Sequence, residues 1–574
     1  MAEVLTDTSA SGPDATPALP KLNRWQRLYM LLDQHSVRLL IAGICLYVLV
    51  FSVASFYKYE TYQTGYDQIY FEQPLWNTSN GRFMEQSDFA YSTSGFAVDW
   101  MPLLVVFTPI YWLLPSPHTL FFVETLILGL GALPLFWLAR DKFKSRPVGL
   151  LFAAVYLANP TLEYFNLLPF NLRAPGLVAL LYAFYFFEKG AKWRFALFAL
   201  LAIATRTEVS LVIAMFGVYG LFNYKRINWK LWVPPLIIGP VYFVIVFSFI
   251  LPAFITPGTM VVPPETQPIV ISQFQRDYIS NTDTIISTTY GDLGKNLPDV
   301  IKNTITNPLK TAERVFTVKK FQYLLLMLLP FAFLPLFAPR ILLFALPIVA
   351  INLLSSRSTQ FDYKSHYSAL LLFPLAVGSI YGAANLLGIL KKWRVTANLR
   401  IGKLPLASLG AVLAVLVVFA LGVQVLERNP LPGVVRNAEK KAMINPTNAM
   451  ISRIPDNASV STGSLLGPHL LPRRYIYPFP LALYSPPTQA VEYILVDTNA
   501  VALYDKQNGK AFSPNPNDPS TLQRPIDWLN TTKEYKLVDK VVVQGQRDPD
   551  GKTREIQLWQ RVGANIPPYS KSGS

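Results

Sequence analysis

The sequence predicts an α-helical polytopic membrane protein with a soluble α/β domain at its C-terminal end. Of its 574 residues, 52% are apolar and only 15% are charged, a composition typical of chains whose solvent is largely lipid. Apolar stretches long enough to cross a hydrocarbon core of about 30 Å recur between residues 39 and 426. Residues 427–574 are polar and rich in proline, and no further apolar stretch occurs among them.

The length expected of a transmembrane helix is met by about eleven apolar stretches. They cover residues 39–57, 119–139, 148–165, 174–187, 195–205, 209–222, 231–254, 321–338, 341–354, 367–390 and 404–426. We predict a hairpin over residues 195–222, because one long helix would place Arg206 and Glu208 at the bilayer centre, where each charge costs roughly 2.5–3.5 kcal/mol. The apolar piece 103–114 is short and is expected to be interfacial or re-entrant.

Basic residues gather in alternate loops, which sets the predicted orientation in the cell membrane, because Lys and Arg resist translocation. We expect residues 1–38 to form a cytoplasmic segment that is disordered and basic. Residues 39–426 form the transmembrane domain, with two large outer loops at 58–118 and 255–320. Residues 427–574 form the extracytoplasmic domain.

The net charge of +16 is explained by these loops. No basic run interleaved with aromatic residues occurs elsewhere, so the sequence does not indicate nucleic acid as a partner.

Within residues 427–574, short runs typical of strands alternate with turn residues. They lie at 458–462, 475–477, 493–496, 536–543 and 555–560, and a helix is expected near 520–530. These patterns predict a small α/β domain.

Several enzyme classes lack their motifs in this sequence. It contains no phosphate-binding loop ending in Lys-Ser or Lys-Thr, no HExxH, no CxxC and no Gly-x-Ser-x-Gly, which argues against nucleotide hydrolysis, zinc peptidase chemistry and serine hydrolysis. What remains is a set of ionisable residues at the predicted outward ends of helices. Its members are Asp67, Glu72, Asp99, Arg173, Arg206, Glu208, Asp292, Arg357, Asp362, Lys364 and His366.

Asp67 stands apart from the other outer-loop acids, because it lies in an aromatic-rich segment, residues 65–76, with the sequence GYDQIYFEQPLW. An acid among aromatic rings is partly desolvated, which raises its pKa towards a range useful for proton transfer. Carboxylates that face cations suit glycosyl transfer from a lipid phosphate, since an acid activates or positions the acceptor hydroxyl while cations hold the phosphate. The alternative is that outer loops need solvated polar residues in any case.

Several motifs, taken together, resemble a known family. Residues 66–82, Trp100-Met-Pro102, Arg206-Thr-Glu208, Tyr290-Gly-Asp-Leu-Gly294, His366-Tyr-Ser368 and Glu492-Tyr-Ile-Leu-Val-Asp497 occur in the order found in the bacterial predicted membrane proteins called domain of unknown function 2079. This family is similar to the GT-C glycosyltransferases, multi-span enzymes that use polyprenyl-phosphate sugars. The resemblance implies a GT-C-like fold with an essential acid in the first outer loop and a soluble outer domain.

The resemblance also implies roles for particular residues. Asp67 matches the acid of the family and is expected to be the catalytic base or positioning group, with Asp99 or Glu72 orienting it. Glu208 and His366 match an acid and a histidine of the family. Together with Arg173, Arg206 and Lys364, which are cations on the same predicted face and would neutralise the donor phosphate, they are the expected substrate-binding residues; His366 is equally explained as an interfacial residue with a polar tip.

The sequence departs from the family at Asp99, Asn171 and Asp292, where histidine is usual. The extra carboxylates would suit Mg²⁺ or Mn²⁺, which favour oxygen ligands.

The leading hypothesis is an inverting GT-C-like glycosyltransferase that moves a sugar from a polyprenyl-phosphate donor to an extracytoplasmic acceptor, among membrane lipids. Two alternatives remain. One is a polytopic lipid or solute transporter or flippase, which would also place charges within a many-span bundle. The other is a non-catalytic assembly subunit on a degenerate transferase scaffold.

Overall fold

A computed structural model of the chain shows mainly helices, followed by a small sheet near the C-terminus. It describes residues 24–87, 93–97, 99–254, 286, 289–392, 400–401, 404–405, 408–426, 429–439, 441–463, 465–479, 491–499, 525–547 and 553–563. Most of the predicted outer loop 255–320 before residue 289, and the acid Asp88, lie outside the described residues.

The part of the chain before residue 255 forms helices in close succession. They are α1 (Arg24–Glu60), α2 (Asp67–Ser79), α3 (Leu103–Leu113), α4 (Pro117–Leu130), α5 (Ala132–Phe143), α6 (Arg146–Leu157), α7 (Pro160–Asn166), α8 (Arg173–Glu188), α9 (Lys192–Ile203), α10 (Val209–Phe222), α11 (Trp229–Ile245) and α12 (Leu251–Phe254). A π-helical segment, Val246–Ile250, joins the last two.

Helix α1 begins much earlier than the sequence predicts. Residues 24–38, expected to belong to a disordered segment, continue the helix of the first apolar stretch. The physical reason is that neither glycine nor proline occurs between residues 21 and 42, so nothing interrupts the helix on its N-terminal side.

Further helices follow the undescribed stretch, separated by short 3₁₀ turns. Their bounds are Leu297–Thr306, Pro308–Val315, Val318–Leu328, Pro339–Leu342, Leu346–Leu354, Leu372–Lys392 and Leu409–Leu426. Two-residue strands β1 (Arg400–Ile401) and β2 (Leu404–Pro405) pair antiparallel before the last of these helices.

Within the part of the chain that the structure describes, five helical stretches are long and apolar enough to cross a membrane. They are Gln26–Glu60, Pro117–Phe143, Trp229–Phe254, Ser358–Lys392 and Leu409–Arg436, and the pair α6 and α7, bent by 51°, makes a sixth if it counts as one span. The predicted number of eleven spans is not confirmed, although the predicted stretches are mainly helical where the structure describes them; the last one begins with strand β2. Several of them are shortened by breaks at prolines, for example at Pro160 and Pro339, where the ring prevents a continuous helix.

The predicted hairpin over residues 195–222 is confirmed in the structure. Helix α9 ends at Ile203 and α10 begins at Val209, which leaves Arg206 and Glu208 between them in a turn. The rings of Phe195 and Phe216, on opposite sides of this turn, have centroids 5.2 Å apart, so the two helices fold back on each other.

Fully buried phenylalanines fill the centre of the bundle. Phe184 on α8, Phe216 on α10, Phe344 and Phe373 pack with ring centroids 4.7–6.3 Å apart. The middle of α8 and of α10 is therefore apolar, and polar groups are confined to the two ends of these helices.

The C-terminal domain contains a five-stranded mixed sheet with strand order β4-β3-β5-β7-β6, which confirms the predicted α/β class. Its strands are β3 (Val460–Thr462), β4 (Ile476–Pro478), β5 (Tyr493–Asp497), β6 (Tyr535–Arg547) and β7 (Thr553–Arg561), and helices Pro430–Arg436, Lys441–Ile451 and Pro525–Thr531 accompany them. Strand β3 pairs parallel with both of its neighbours, and β7 pairs antiparallel with β5 and β6.

The C-terminal domain packs against the segment that follows α1. Gln73 on α2 donates a hydrogen bond to the carbonyl of Arg474 at 2.8 Å, and the guanidinium of Arg474 binds both carboxylate oxygens of Glu85 at 2.7 and 3.0 Å. The ring of His469 stacks on Tyr59 and Tyr62, with centroids 4.3 and 3.9 Å apart. The first loop and the C-terminal domain are thus one packed unit.

Close packing of α10 against α11 generates a first prediction. A Cβ atom on Gly220 would overlap the Cβ of Trp232, so we expect Gly220→Ala to lower the free energy of unfolding by about 1–3 kcal/mol, through overpacking. Unfolding in detergent, followed by circular dichroism, measures the change.

Gly388→Ala is the matched control, because it also lies inside a helix but has no heavy atom within 4 Å of the added Cβ. Alanine favours a helix over glycine by about 1 kcal/mol, so this variant should be as stable as the unsubstituted protein or more stable. Equal destabilisation of both variants would contradict the packing argument.

Candidate functional site

Asp67 is the first residue of α2, where a carboxylate interacts favourably with the positive end of the helix dipole. Its side chain is exposed, whereas residues 68–75 behind it are all buried. Among the described residues Asp67 has no hydrogen-bond or ion-pair partner. It is therefore an acid held in place by its backbone while its carboxylate remains available.

The protein around Asp67 shifts the pKa of its carboxylate. Although the carboxylate is reached by solvent, the protein around it desolvates it and raises its pKa, while the positive charges of Arg206 and Arg173 act in the opposite direction. The expectation of a raised pKa at Asp67 agrees with this direction. The field of both arginines also shows that they lie on the same side of the molecule as Asp67.

Four charged residues form two ion pairs next to one another. Arg206 Nη2 lies 2.5 Å from Asp99 Oδ2, and Arg173 Nη2 lies 2.6 Å from Glu208 Oε1. A longer contact of 3.6 Å from Arg206 Nε to Glu208 Oε1 joins the pairs into a chain. We call these four residues and Asp67 the Asp67 site.

Local structure brings the members of the Asp67 site together. The amide of Leu103 at the start of α3 donates to the carbonyl of Ala204 at 2.8 Å, which fixes the segment carrying Asp99 against the turn carrying Arg206. Glu208 is the N-cap of α10, and Arg173 is the first residue of α8. A cation at a helix N-terminus is unfavourable, so Arg173 depends on the carboxylate of Glu208.

Charges within the Asp67 site are nearly balanced, with three carboxylates against two guanidinium groups. Burial would raise the pKa of Glu208, but Arg173 and Arg206 outweigh it and hold that pKa below its usual value. Burial raises the pKa of Asp99, although Arg206 opposes the change. Arg206 Nε is buried and, beyond its 3.6 Å contact with Glu208, has no hydrogen-bond partner in the described part of the chain.

Glu72, expected to orient Asp67, lies elsewhere on α2. Five residues correspond to about 500° of rotation at about 100° per residue, so the two acids point in directions about 140° apart. Glu72 is 1% exposed and accepts hydrogen bonds of 2.8 Å from Gln68 Nε2 and from the hydroxyl of Tyr111 on α3. Its contacts join α2 to α3.

The structure places His366 beside the Asp67 site, close enough to be acted on by the charges of Arg173 and Arg206, and Lys364 lies two residues earlier in the same segment. The guanidinium carbon of Arg173 lies 5.0 Å from the ring centroid of Tyr367, the neighbour of His366. Lys364 is exposed, and its ammonium group lies 5.0 and 5.2 Å from the rings of Tyr164 and Tyr363. It has no carboxylate partner among the described residues.

Asp292 is not brought to the other acids. It is exposed and paired with Lys310 and Arg314, each at 2.7 Å. Nor do the described residues contain a group of three or more His, Cys, Asp and Glu side chains placed to hold a metal ion. Asp362 accepts a hydrogen bond from the amide of Lys364, and the amide of Arg357 donates to Ser355.

Sequence reasoning missed an aromatic wall beside Asp99. The rings of Phe96, Trp100 and Phe254 lie 4.8–6.0 Å apart, and Phe254 ends the candidate span Trp229–Phe254. Trp100 was visible in the motif that follows Asp99. Phe254 lies more than 150 residues away, and nothing local to the sequence connects it with Trp100.

Comparison with known proteins assigns the chain to a family. A family described as "Predicted membrane protein (DUF2079)" matches residues 58–540, most of the chain, so the protein belongs to this family. It is thereby a predicted membrane protein, in agreement with its apolar helices. No curated protein matches the sequence.

One solved structure of similar length is ArnT from Cupriavidus metallidurans bound to undecaprenyl phosphate. It shares 14% sequence identity over 92% of this chain and 99% of its own, with a TM-score of 0.42. That similarity is too low to transfer a fold or a function.

Burial of Glu72 generates a second prediction. Burial raises its pKa from 4.5 to about 7, even though Gln68 and Tyr111 favour the ionised form. A raised pKa means that its contribution to stability is complete below pH 4.5 and is lost as the pH rises through 7. We expect Glu72→Gln to remove this dependence, so that stability between these pH values becomes flatter than in the unsubstituted protein.

Thermal unfolding in detergent at a series of pH values measures the effect. Glu60→Gln serves as the control, because Glu60 is exposed and paired with His118 at 3.0 Å. The buried position of Glu72 is contradicted if its variant and the unsubstituted protein show parallel pH profiles.

Proposed function

We propose that this protein is an integral membrane glycosyltransferase of the GT-C type that transfers a sugar from a polyprenyl-phosphate donor to an acceptor on the side of the C-terminal domain. The main support for the proposal is the position and environment of Asp67. It is an exposed acid without a partner among the described residues, at the rigid start of a buried helix, in the field of two arginines.

The proposed step is a single displacement at the anomeric carbon of the donor sugar. Asp67 accepts the proton of the acceptor hydroxyl as its oxygen attacks, the bond from the anomeric carbon to the phosphate oxygen breaks, and polyprenyl phosphate leaves with the bonding electrons. One displacement inverts the anomeric configuration. A raised pKa suits a general base that operates near neutral pH.

Negative charge grows on the leaving phosphate during this step, and cations must offset it. Arg173 and Arg206 are already paired with carboxylates, so they contribute less than two free cations would. Arg206 Nε makes no hydrogen bond among the described residues and has only a 3.6 Å contact with Glu208, and Lys364 has no carboxylate partner among them. Arg206 Nε and Lys364 are assigned as the groups that bind the donor phosphate. Asp99 and Glu208 hold the guanidinium groups of Arg206 and Arg173 in place.

Chain geometry supports a role for Lys364. It lies three residues before Tyr367, which contacts Arg173, and three residues span at most about 11 Å. The lysine side chain can cover much of that distance. His366 lies in the same segment and is assigned to the substrate.

The surface beside Asp99 is suited to contact the prenyl chain of the lipid donor. The aromatic wall of Phe96, Trp100 and Phe254 lies at the end of a candidate membrane span. Apolar rings at that level suit the first units of a prenyl chain, with the phosphate directed towards the charged residues.

Asp67→Asn tests the proposal. It keeps the size of the side chain and removes the base, so we expect loss of at least about 100-fold in product formation, the lower end of the usual contribution of general base catalysis. Lipid-linked sugars and envelope glycans are measured by mass spectrometry in cells that carry the variant as the sole copy, with protein level matched by immunoblot.

Glu60→Gln is the matched control, since this exposed acid of the same predicted outer loop is paired with His118 and not with an arginine of the Asp67 site. Unaltered products in cells with Asp67→Asn would rule out the catalytic role. If deletion of the protein removes a product that the Asp67→Asn variant restores, the non-catalytic assembly subunit is the better description.

A further inference from the structure

A polar cavity lies at the ends of α8 and α10 that are remote from the Asp67 site. It has a volume of about 560 Å³ and is lined by residues from α5, α8, α10, the segment 338–341 and the helix Leu372–Lys392. Its charged residues are Asp141, Lys142, Glu188, Lys189, Arg226 and Arg340. We call it the Lys142 pocket.

Helix geometry fixes the separation of the two polar regions. Arg173 begins α8 and Glu188 ends it, and α8 has 16 residues, or about 24 Å at about 1.5 Å per residue. Likewise Glu208 caps the start of α10, whereas Asn223 in the Lys142 pocket follows its end. The Lys142 pocket and the Asp67 site are therefore on opposite faces of the bundle, with the phenylalanine core between them.

Both acids in the Lys142 pocket already have cationic partners. Glu188 accepts hydrogen bonds from Arg226 at 2.8 and 2.9 Å, from the hydroxyl of Tyr219 at 3.0 Å and from that of Tyr381 at 2.9 Å. Asp141 is paired with Lys189 at 2.5 Å and with Arg140 at 2.9 Å. Each carboxylate is therefore already neutralised and does not balance the charge of a further cation.

Two cations of the pocket have no carboxylate partner among the described residues. The ammonium group of Lys142 lies 4.7 Å from the ring centroid of Tyr381, and Arg340 donates to the amide oxygen of Asn223 at 3.3 Å. Because four cations face two acids, the pocket has an excess of two positive charges. A concave, partly apolar surface with this excess is suited to a phosphate group.

We propose that the Lys142 pocket binds a phosphate-bearing ligand, with Lys142 and Arg340 as its anchors, and that the ligand is the head group of an anionic phospholipid. The exposed aromatic residues near this end of the helices favour a lipid. Trp193, Tyr224 and Trp229 are 89%, 61% and 61% exposed, and they begin α9, follow α10 and begin α11, respectively. Exposed Trp and Tyr at the ends of apolar helices mark the level of lipid head groups.

This inference does not depend on the proposed transferase activity, since the pocket is on the opposite face. Free phosphate compounds share the chemistry of the head group, so the experiment separates the two sources. The full-length protein is reconstituted in nanodiscs of phosphatidylcholine with increasing phosphatidylglycerol, and bound phosphatidylglycerol is counted by native mass spectrometry. Inorganic pyrophosphate is titrated in nanodiscs of phosphatidylcholine alone.

The test variant is Lys142→Ala/Arg340→Ala, for which we expect about tenfold weaker retention of phosphatidylglycerol. Both side chains are exposed, and thermal unfolding checks that the variant is folded. Lys142→Gln/Arg340→Gln replaces it if the alanine variant is not folded, and the same loss is expected.

Lys225→Ala/Lys230→Ala is the matched control. Each of these lysines also lies over an aromatic ring, that of Tyr224 or Trp229, near the same end of the helices, but neither lines the pocket. We expect its retention of the lipid to be unchanged. Equal loss in both double variants, or equal retention in all proteins, would overturn the site.

Pyrophosphate binding that depends on Lys142 and Arg340, without retention of phosphatidylglycerol, would overturn the lipid assignment and leave a soluble phosphate compound as the ligand.

Discussion

Burial of α2 on two sides is the constraint on which the Asp67 site depends. Ile69 packs against Gly467 of the C-terminal domain, while Phe71 and Leu75 pack into the cluster of apolar side chains around α3. Buried polar groups on this helix must be paired, and Gln68 and Gln73 are, through the amide of Phe170 and the carbonyl of Arg474. The helix is therefore fixed in rotation, and its first residue has one defined position relative to the bundle.

The ion pairs of Arg206 with Asp99 and of Arg173 with Glu208 affect both the stability of this region and the charge that it offers to a ligand. A buried ion pair contributes little net stability, but removal of one partner leaves an uncompensated charge at a cost of about 3–5 kcal/mol. Asp99 and Glu208 are therefore needed to compensate the buried positive charges of Arg206 and Arg173. Within each pair the two charges neutralise each other, so Asp67 and Lys364, which have no ion-pair partner among the described residues, are the groups whose charge remains for a ligand.

Much of the fold follows from local signals in the sequence, and much of the site does not. The apolar stretches, the turn at Arg206 and the strands of the C-terminal domain are set by composition over short windows, and the structure has helices, a turn and strands there. The number of membrane spans is not set by composition over short windows, because prolines divide several apolar stretches into short helices. Asp292 was grouped with Asp99 because both lie in predicted outer loops, but Lys310 and Arg314, close to Asp292 in sequence, pair with it instead.

The two polar ends of α8 and α10 differ in a way that composition does not reveal. At the Asp67 site three carboxylates face two arginines, and one acid remains without a partner among the described residues. In the Lys142 pocket four cations face two acids; Glu188 accepts several hydrogen bonds, and Asp141 is ion-paired with Lys189 and Arg140. The same residue types thus give an available base at one end and an available positive charge at the other. Which group remains unpaired, rather than how many charges are present, determines the chemistry that each end can perform.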